Sequence, residues 1–132
     1  YDSFVNSPVG DLTGQRPAGI PEWSLATSLT HILDLGSGNQ LLTRVDYSHE
    51  SNTKINNGLP TFGPNNFMRE VNLVNASATV SLDMGLEFGV WARNLLDDEY
   101  IITVFDGVAQ AGTVSGYPSA PRTYGAMARF KF

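Results

Sequence analysis

A chain of 132 residues, 42% of them hydrophobic, is long enough for one core, yet no apolar run approaches the roughly eighteen residues of a membrane-spanning helix. A net charge of −5 and the lack of any basic patch interleaved with aromatics exclude a nucleic-acid partner. The absence of cysteine excludes disulfides and thiolate metal sites, while thirteen Gly and seven Pro supply the many turns that β architecture needs.

Residues 1–22 are rich in Gly, Pro, Asp, Asn and Ser and show little periodicity. Asp11-Leu12-Thr13-Gly14 and Arg16-Pro17-Ala18-Gly19 are turn chemistry, so an ordered loop is predicted here. A first strand is predicted over 23–33, with Trp23, Leu25, Leu29 and Leu33 in one phase, together with Thr27 and His31. Trp23 suits either a membrane-interface aromatic belt or the closure of a soluble core. Asp34-Leu35-Gly36-Ser37-Gly38-Asn39 reads as a short turn, and it lacks the Lys-Ser/Thr ending of a phosphate loop.

A second strand is predicted over 40–50. Leu41, Thr43, Val45, Tyr47 and His49 share one face, and Leu42, Arg44, Asp46, Ser48 and Glu50 the other. Charges of both signs on one face fit a wet barrel lumen or the solvated side of a soluble sheet. Residues 51–69 read as a long connection in which Phe62, Phe67 and Met68 either fold the loop back on itself or touch a ligand. A third strand over 70–82 alternates Val74, Ala76, Ala78, Val80 and Leu82 with Asn75, Ser77, Thr79 and Ser81. Asn75-Ala76-Ser77 matches a glycosylation sequon, but a strand interior makes it a chance match.

Asp83-Met84-Gly85 predicts a tight hairpin turn into a fourth strand over 86–94. Leu86, Phe88, Val90 and Ala92 share one face there, while Glu87, Gly89, Trp91 and Arg93 share the other, with Trp91 set to stack beside Arg93. Asp97, Asp98 and Glu99 follow; three adjacent carboxylates lack the alternation of a calcium loop and read as a solvated strand end. Residues 101–121 read as a second long connection. The final stretch puts Tyr124, Ala126, Ala128, Phe130 and Phe132 on one face, and Gly125, Met127, Arg129 and Lys131 on the other. A strand that ends on an aromatic and has one apolar face suits contact with lipid.

Connections alternate short and long, as in outer-membrane barrels, whose periplasmic turns are short and extracellular loops long. This pattern assigns Gly36, Met84 and Phe132 to the periplasmic side and the loops 51–69 and 101–121 to the outside. The apolar phases of the predicted strands carry no Lys, Arg, Asp or Glu between Trp23 and Leu33, Leu41 and His49, Val74 and Leu82, Leu86 and Ala92, or Tyr124 and Phe132. The predicted fold class is therefore all-β: an antiparallel up-and-down transmembrane β-barrel segment of about five strands, in which residues 1–22 form an extracellular loop region and 23–132 the strands.

Three segments strengthen this reading: Pro21-Glu22-Trp23, Asn94-Leu95-Leu96-Asp97-Asp98-Glu99-Tyr100 and Pro121-Arg122-Thr123-Tyr124-Gly125. In order and spacing, and with the terminal Phe132, they resemble the C-terminal part of TonB-dependent receptors of the Gram-negative outer membrane. The resemblance implies a segment of a barrel of about 22 strands, with a plug and a TonB-contacting part encoded upstream of Tyr1. It implies import of a scarce nutrient, a ferric siderophore being the commonest cargo, and vitamin B12, haem or oligosaccharides the alternatives. It also implies that Tyr124, Ala126, Ala128, Phe130 and Phe132 signal to the barrel-assembly machinery. Loop position, rather than a matched motif, makes Phe62, Asn65, Asn66, Phe67, Phe105, Asp106 and Tyr117 the candidates for facing a small-molecule ligand. The partners are then outer-membrane lipid, the rest of the barrel, and TonB through the upstream part.

Two other functions compete. A soluble β-sandwich that binds carbohydrate at its loops would use the charge-free phases as a dry core. An enzyme is the weaker reading, since His31 and His49 lie in apolar phases and no nucleophile elbow or metal-ligand spacing is present; no cofactor is implied.

Overall fold

A computed structural model describes residues 11, 13–14, 16–56, 67–107, 109–110 and 112–131. The protein is all-β with antiparallel sheets, and no helix occurs among the described residues. Seven strands are formed: β1 (Ser24–Gly36), β2 (Asn39–Lys54), β3 (Met68–Ser81), β4 (Leu86–Arg93), β5 (Ile101–Asp106), β6 (Val114–Pro118) and β7 (Thr123–Phe130). They form a five-stranded sheet of order β1-β2-β3-β4-β7 and a two-stranded sheet of β5 and β6.

The five alternating stretches each become a strand, because period-two patterning gives a pleated ribbon two unlike faces. Several boundaries differ from expectation. β1 runs on through Asp34 and Leu35, and the expected six-residue turn shrinks to Ser37-Gly38. Gly36, Ser37 and Gly38 all take positive φ (81°, 54° and 77°), the twist that short hairpins prefer. β2 continues to Lys54 and β3 starts at Met68, so both ends of the expected 51–69 loop are strand. The stretch 101–121, expected to be a long connection, contains the β5–β6 hairpin. Its first strand, Ile101-Ile102-Thr103-Val104-Phe105, is a β-branched and aromatic run whose β preference outweighs the Gly, Ser and Pro around it.

The chain divides into two compact units. One comprises the described parts of Tyr1–Ser24, Glu50–Val71 and Glu99–Ser119. Its small core joins buried Ile55 and Val104 to half-buried Phe67 and Val114. The Ile55 N–H donates to the Phe67 carbonyl (3.0 Å), and the Asn56 side-chain amide donates to the Val104 carbonyl (2.6 Å). Arg69 lies beside the hairpin base, with its guanidinium on the Ile102 carbonyl (3.0 Å), on Glu50 (3.2 Å) and 5.8 Å from the centre of the Tyr100 ring.

The second unit comprises Leu25–His49, Asn72–Asp98 and the described part of Ala120–Phe132. Here the strands carry large hydrophobic side chains that stay exposed, among them Leu29, Leu33, Val45, Phe88, Val90, Tyr124 and Phe130. Across all the described residues, the only buried hydrophobic side chains are Ile55, Val71 and Val104.

Candidate functional site

The register of β3, β4 and β7 sorts their side chains by face, because directly opposed residues of antiparallel strands project to the same side. Ala76 pairs with Ala92, Ala78 with Val90 and Val80 with Phe88. Ala92 pairs in turn with Tyr124, Val90 with Ala126, Phe88 with Ala128 and Leu86 with Phe130. One face is therefore apolar in register across three strands and free of charge. Its middle is floored by alanines, and Tyr124 stands near one end with Phe88 and Phe130 near the other. Six residue steps of about 3.4 Å separate Tyr124 from Phe130, roughly 20 Å.

β2 adds its odd-numbered side chains to this face. The Tyr47 hydroxyl donates to Asn72 Oδ1 (3.1 Å), and buried His49 meets the same oxygen through Nδ1 (2.8 Å). A shallow, mainly apolar hollow of about 430 Å³ runs across β2, β3 and β4 at residues 43–45, 76–78 and 90–92.

The opposite face is polar. Arg44 forms a forked pair with Asp46 (2.7–3.0 Å), and the Ser28 hydroxyl also bonds Asp46. Glu87 receives Lys131 (2.6 Å) and Arg129 (3.6 Å) from the neighbouring strand. Trp91 lies directly opposite Gly125, and a Cβ on that glycine would sit 2.7 Å from the indole. The Arg93 guanidinium stacks 5.3 Å from the Trp91 ring centre, as the strand phase predicts.

Beyond β4 the chain turns on Asn94, which is 5% exposed and takes a φ of 50°. Its amide donates to the carbonyls of Asp98 (3.0 Å) and Ala120 (3.1 Å), and its Oδ1 accepts from the Asp98 N–H (2.9 Å). Its own N–H donates to Asn75 Oδ1 (3.1 Å). Asp97 accepts from the Arg122 N–H (3.0 Å) and pairs with its guanidinium (3.5 Å). Asp98 accepts from the Asn72 N–H (2.6 Å). Asp97 and Asp98 thus have separate partners within the fold, while Asp97 and Glu99 remain exposed as expected of a solvated strand end, and Asn94 and Asp97 meet Ala120 and Arg122 in space.

The residues expected to face a ligand lie in different settings. Phe62, Asn65 and Asn66 fall outside the described residues, as does Phe132 of the terminal signal. Phe67 packs against the Ile55–Val104 core. Phe105 and Tyr117 are brought together on the β5–β6 hairpin, their rings 5.5 Å apart and tilted by 41°. Phe105 opposes Ser115 and Thr103 opposes Tyr117, so these four share a face, and both rings are exposed. Asp106 opposes Val114 in the other phase, away from the ring pair. Tyr124, Ala126, Ala128 and Phe130 of the assembly signal form one exposed row on β7.

The Asn94 network and the seat of Trp91 on Gly125 were not legible beforehand. Both depend on which strands pair and in what register, although Asn94 directly after an alternating stretch is a recognisable turn signal. Comparison with known proteins supplies no relative: no family model, no curated protein and no solved structure matches the chain.

Proposed function

We propose that this chain is a wall segment of an outer-membrane β-barrel receptor of the TonB-dependent type. Such a receptor binds a scarce nutrient outside the cell, a ferric siderophore above all, and imports it. The observation that carries the reading is the in-register, charge-free face of β3, β4 and β7, open along its length with aromatic residues toward its ends, set back to back with a face that holds the ion pairs. Lipid contact favours such a face, since a cation there costs about 2–4 kcal/mol at mid-depth, while charges facing a wet lumen are tolerated. On this reading the β5–β6 hairpin, with Phe105 and Tyr117, stands on the ligand side. The sheet's free edges are met by the remaining strands of the barrel, the plug and TonB contact belong to the upstream part, and the β7 row serves the assembly machinery.

The test is to fold the chain in detergent micelles and, separately, in plain buffer, and to compare β content by circular dichroism and particle size by light scattering. Monodisperse β structure in micelles with aggregation in buffer is expected. A cooperative monomer in buffer would turn the apolar face into a closed core and move the assignment to a soluble β-sandwich binding module.

A further inference from the structure

β4 and β7 are neighbours in the sheet although residues 94–122 separate them. The chain leaves the sheet-bearing unit at Asp98 and re-enters it at Ala120. At that point Asn94 bonds the Ala120 carbonyl, and Asp97 holds both the backbone and the side chain of Arg122. The two ends are also tied reciprocally, Ser119 N–H to the Tyr100 carbonyl (2.7 Å) and Tyr100 N–H to the Ser119 hydroxyl (3.1 Å). These ties lie at or before Tyr100, or at or after Ser119, and the β5–β6 ladder from Ile101 opposite Pro118 continues them into the hairpin.

We propose that Asn94, Asp97 and Arg122 form a clamp that docks the terminal strand on β4 whatever the intervening segment carries. Asn94 is the positioning residue. It is buried, it holds a left-handed backbone that Asn tolerates better than most residues, and its amide spans both sides of the gap. The β5–β6 hairpin is then exchangeable without loss of docking, and the β7 row is presented only when the clamp is closed. This rests on the β7 row being the part that must be presented, as proposed above, but its test does not.

The chain has no cysteine, so an introduced pair reports docking directly. Val90 and Ala126 are directly opposed, while the Lys131 N–H donates to the Gly85 carbonyl, which places the 90–126 pair at a non-hydrogen-bonded position with close side chains. Val90→Cys with Ala126→Cys is expected to form a disulfide on mild oxidation in micelles, and buffer is run in parallel. In that background Asn94→Gly, which keeps the left-handed backbone but removes the amide, and Asp97→Ala are each expected to slow cross-linking several-fold. Replacing residues 102–117 by a short Gly-Ser linker is expected to leave the rate within about twofold. Unchanged cross-linking in Asn94→Gly, loss of cross-linking with the linker, or no cross-linking in the parent in either medium would each overturn the clamp. Which medium supports cross-linking in the parent bears on the membrane reading alone, whereas the clamp is judged by the ratio of variant to parent.

Discussion

Trp91 occupies the space that a side chain at position 125 would need, which makes Gly125 a packing requirement and not a point of looseness. The same logic holds two pairs along, where Met127 lies over Gly89 at 3.0 Å from the Cβ that glycine lacks. Filling a packed site typically costs about 1–3 kcal/mol. Gly125→Ala is therefore expected to lower stability by about that much in urea unfolding followed by circular dichroism. Adding Trp91→Ala should recover most of the loss, because it removes the atoms that clash. Equal destabilisation by Gly125→Ala with and without Trp91 would show that the indole does not sit there. The stacking of Trp91 beside Arg93 was legible from the strand phase alone, since residues two apart on a strand share a face. The glycine beneath was not, because nothing local to Trp91 indicates which residue of β7 lies across from it.

Among the elements, β1 shows its environment most plainly. All thirteen residues are exposed, Leu29 and Thr30 point to opposite faces, and its only charge is Asp34. If the face bearing Leu29 meets lipid, Leu29→Arg should lower folding stability in lipid vesicles by about 2–4 kcal/mol, whereas Thr30→Arg on the lumen phase should change it by less than about 1 kcal/mol. Equal costs at the two positions would remove the distinction between the faces. Alternation made β1, β2, β3, β4 and β7 readable, since two environments write two phases into the chain. Their ends were misjudged where small or polar residues such as Asp34, Ser51 and Thr53 sit in strand. Thr53 is nearly fully buried, its hydroxyl donating to the Ser51 carbonyl at 2.5 Å, and nothing in its residue type announces that. The β5–β6 hairpin was hidden by Gly107, Gly112 and Gly116, although Val104 and Val114 anchor it on Ile55 and Phe67.

For the whole molecule, the decisive quantity is the apolar surface left uncovered. Three buried hydrophobic side chains among the described residues, at about 1.5–3 kcal/mol each, amount to less than about 10 kcal/mol, little against the ordering of a sheet this long. That imbalance underlies the expected dependence on micelles. The candidate ligand surface was only partly readable. Phe105 and Tyr117 were both in view, but their meeting across a hairpin rests on the Phe105–Ser115 and Thr103–Tyr117 pairings, a matter of register that no single stretch of sequence carries.

The order β1-β2-β3-β4-β7 has an arithmetic consequence. Neighbours in the antiparallel sheet alternate in direction, so in a set of five the first and last strands point the same way. Copies of this sheet joined head to tail in a ring would bring β7 of one against β1 of the next as parallel strands. A cylinder that stays antiparallel all the way round contains an even number of strands. Any such cylinder that includes this sheet once must take an odd number of strands from elsewhere, and the outermost two of those must both run opposite to β1 and β7.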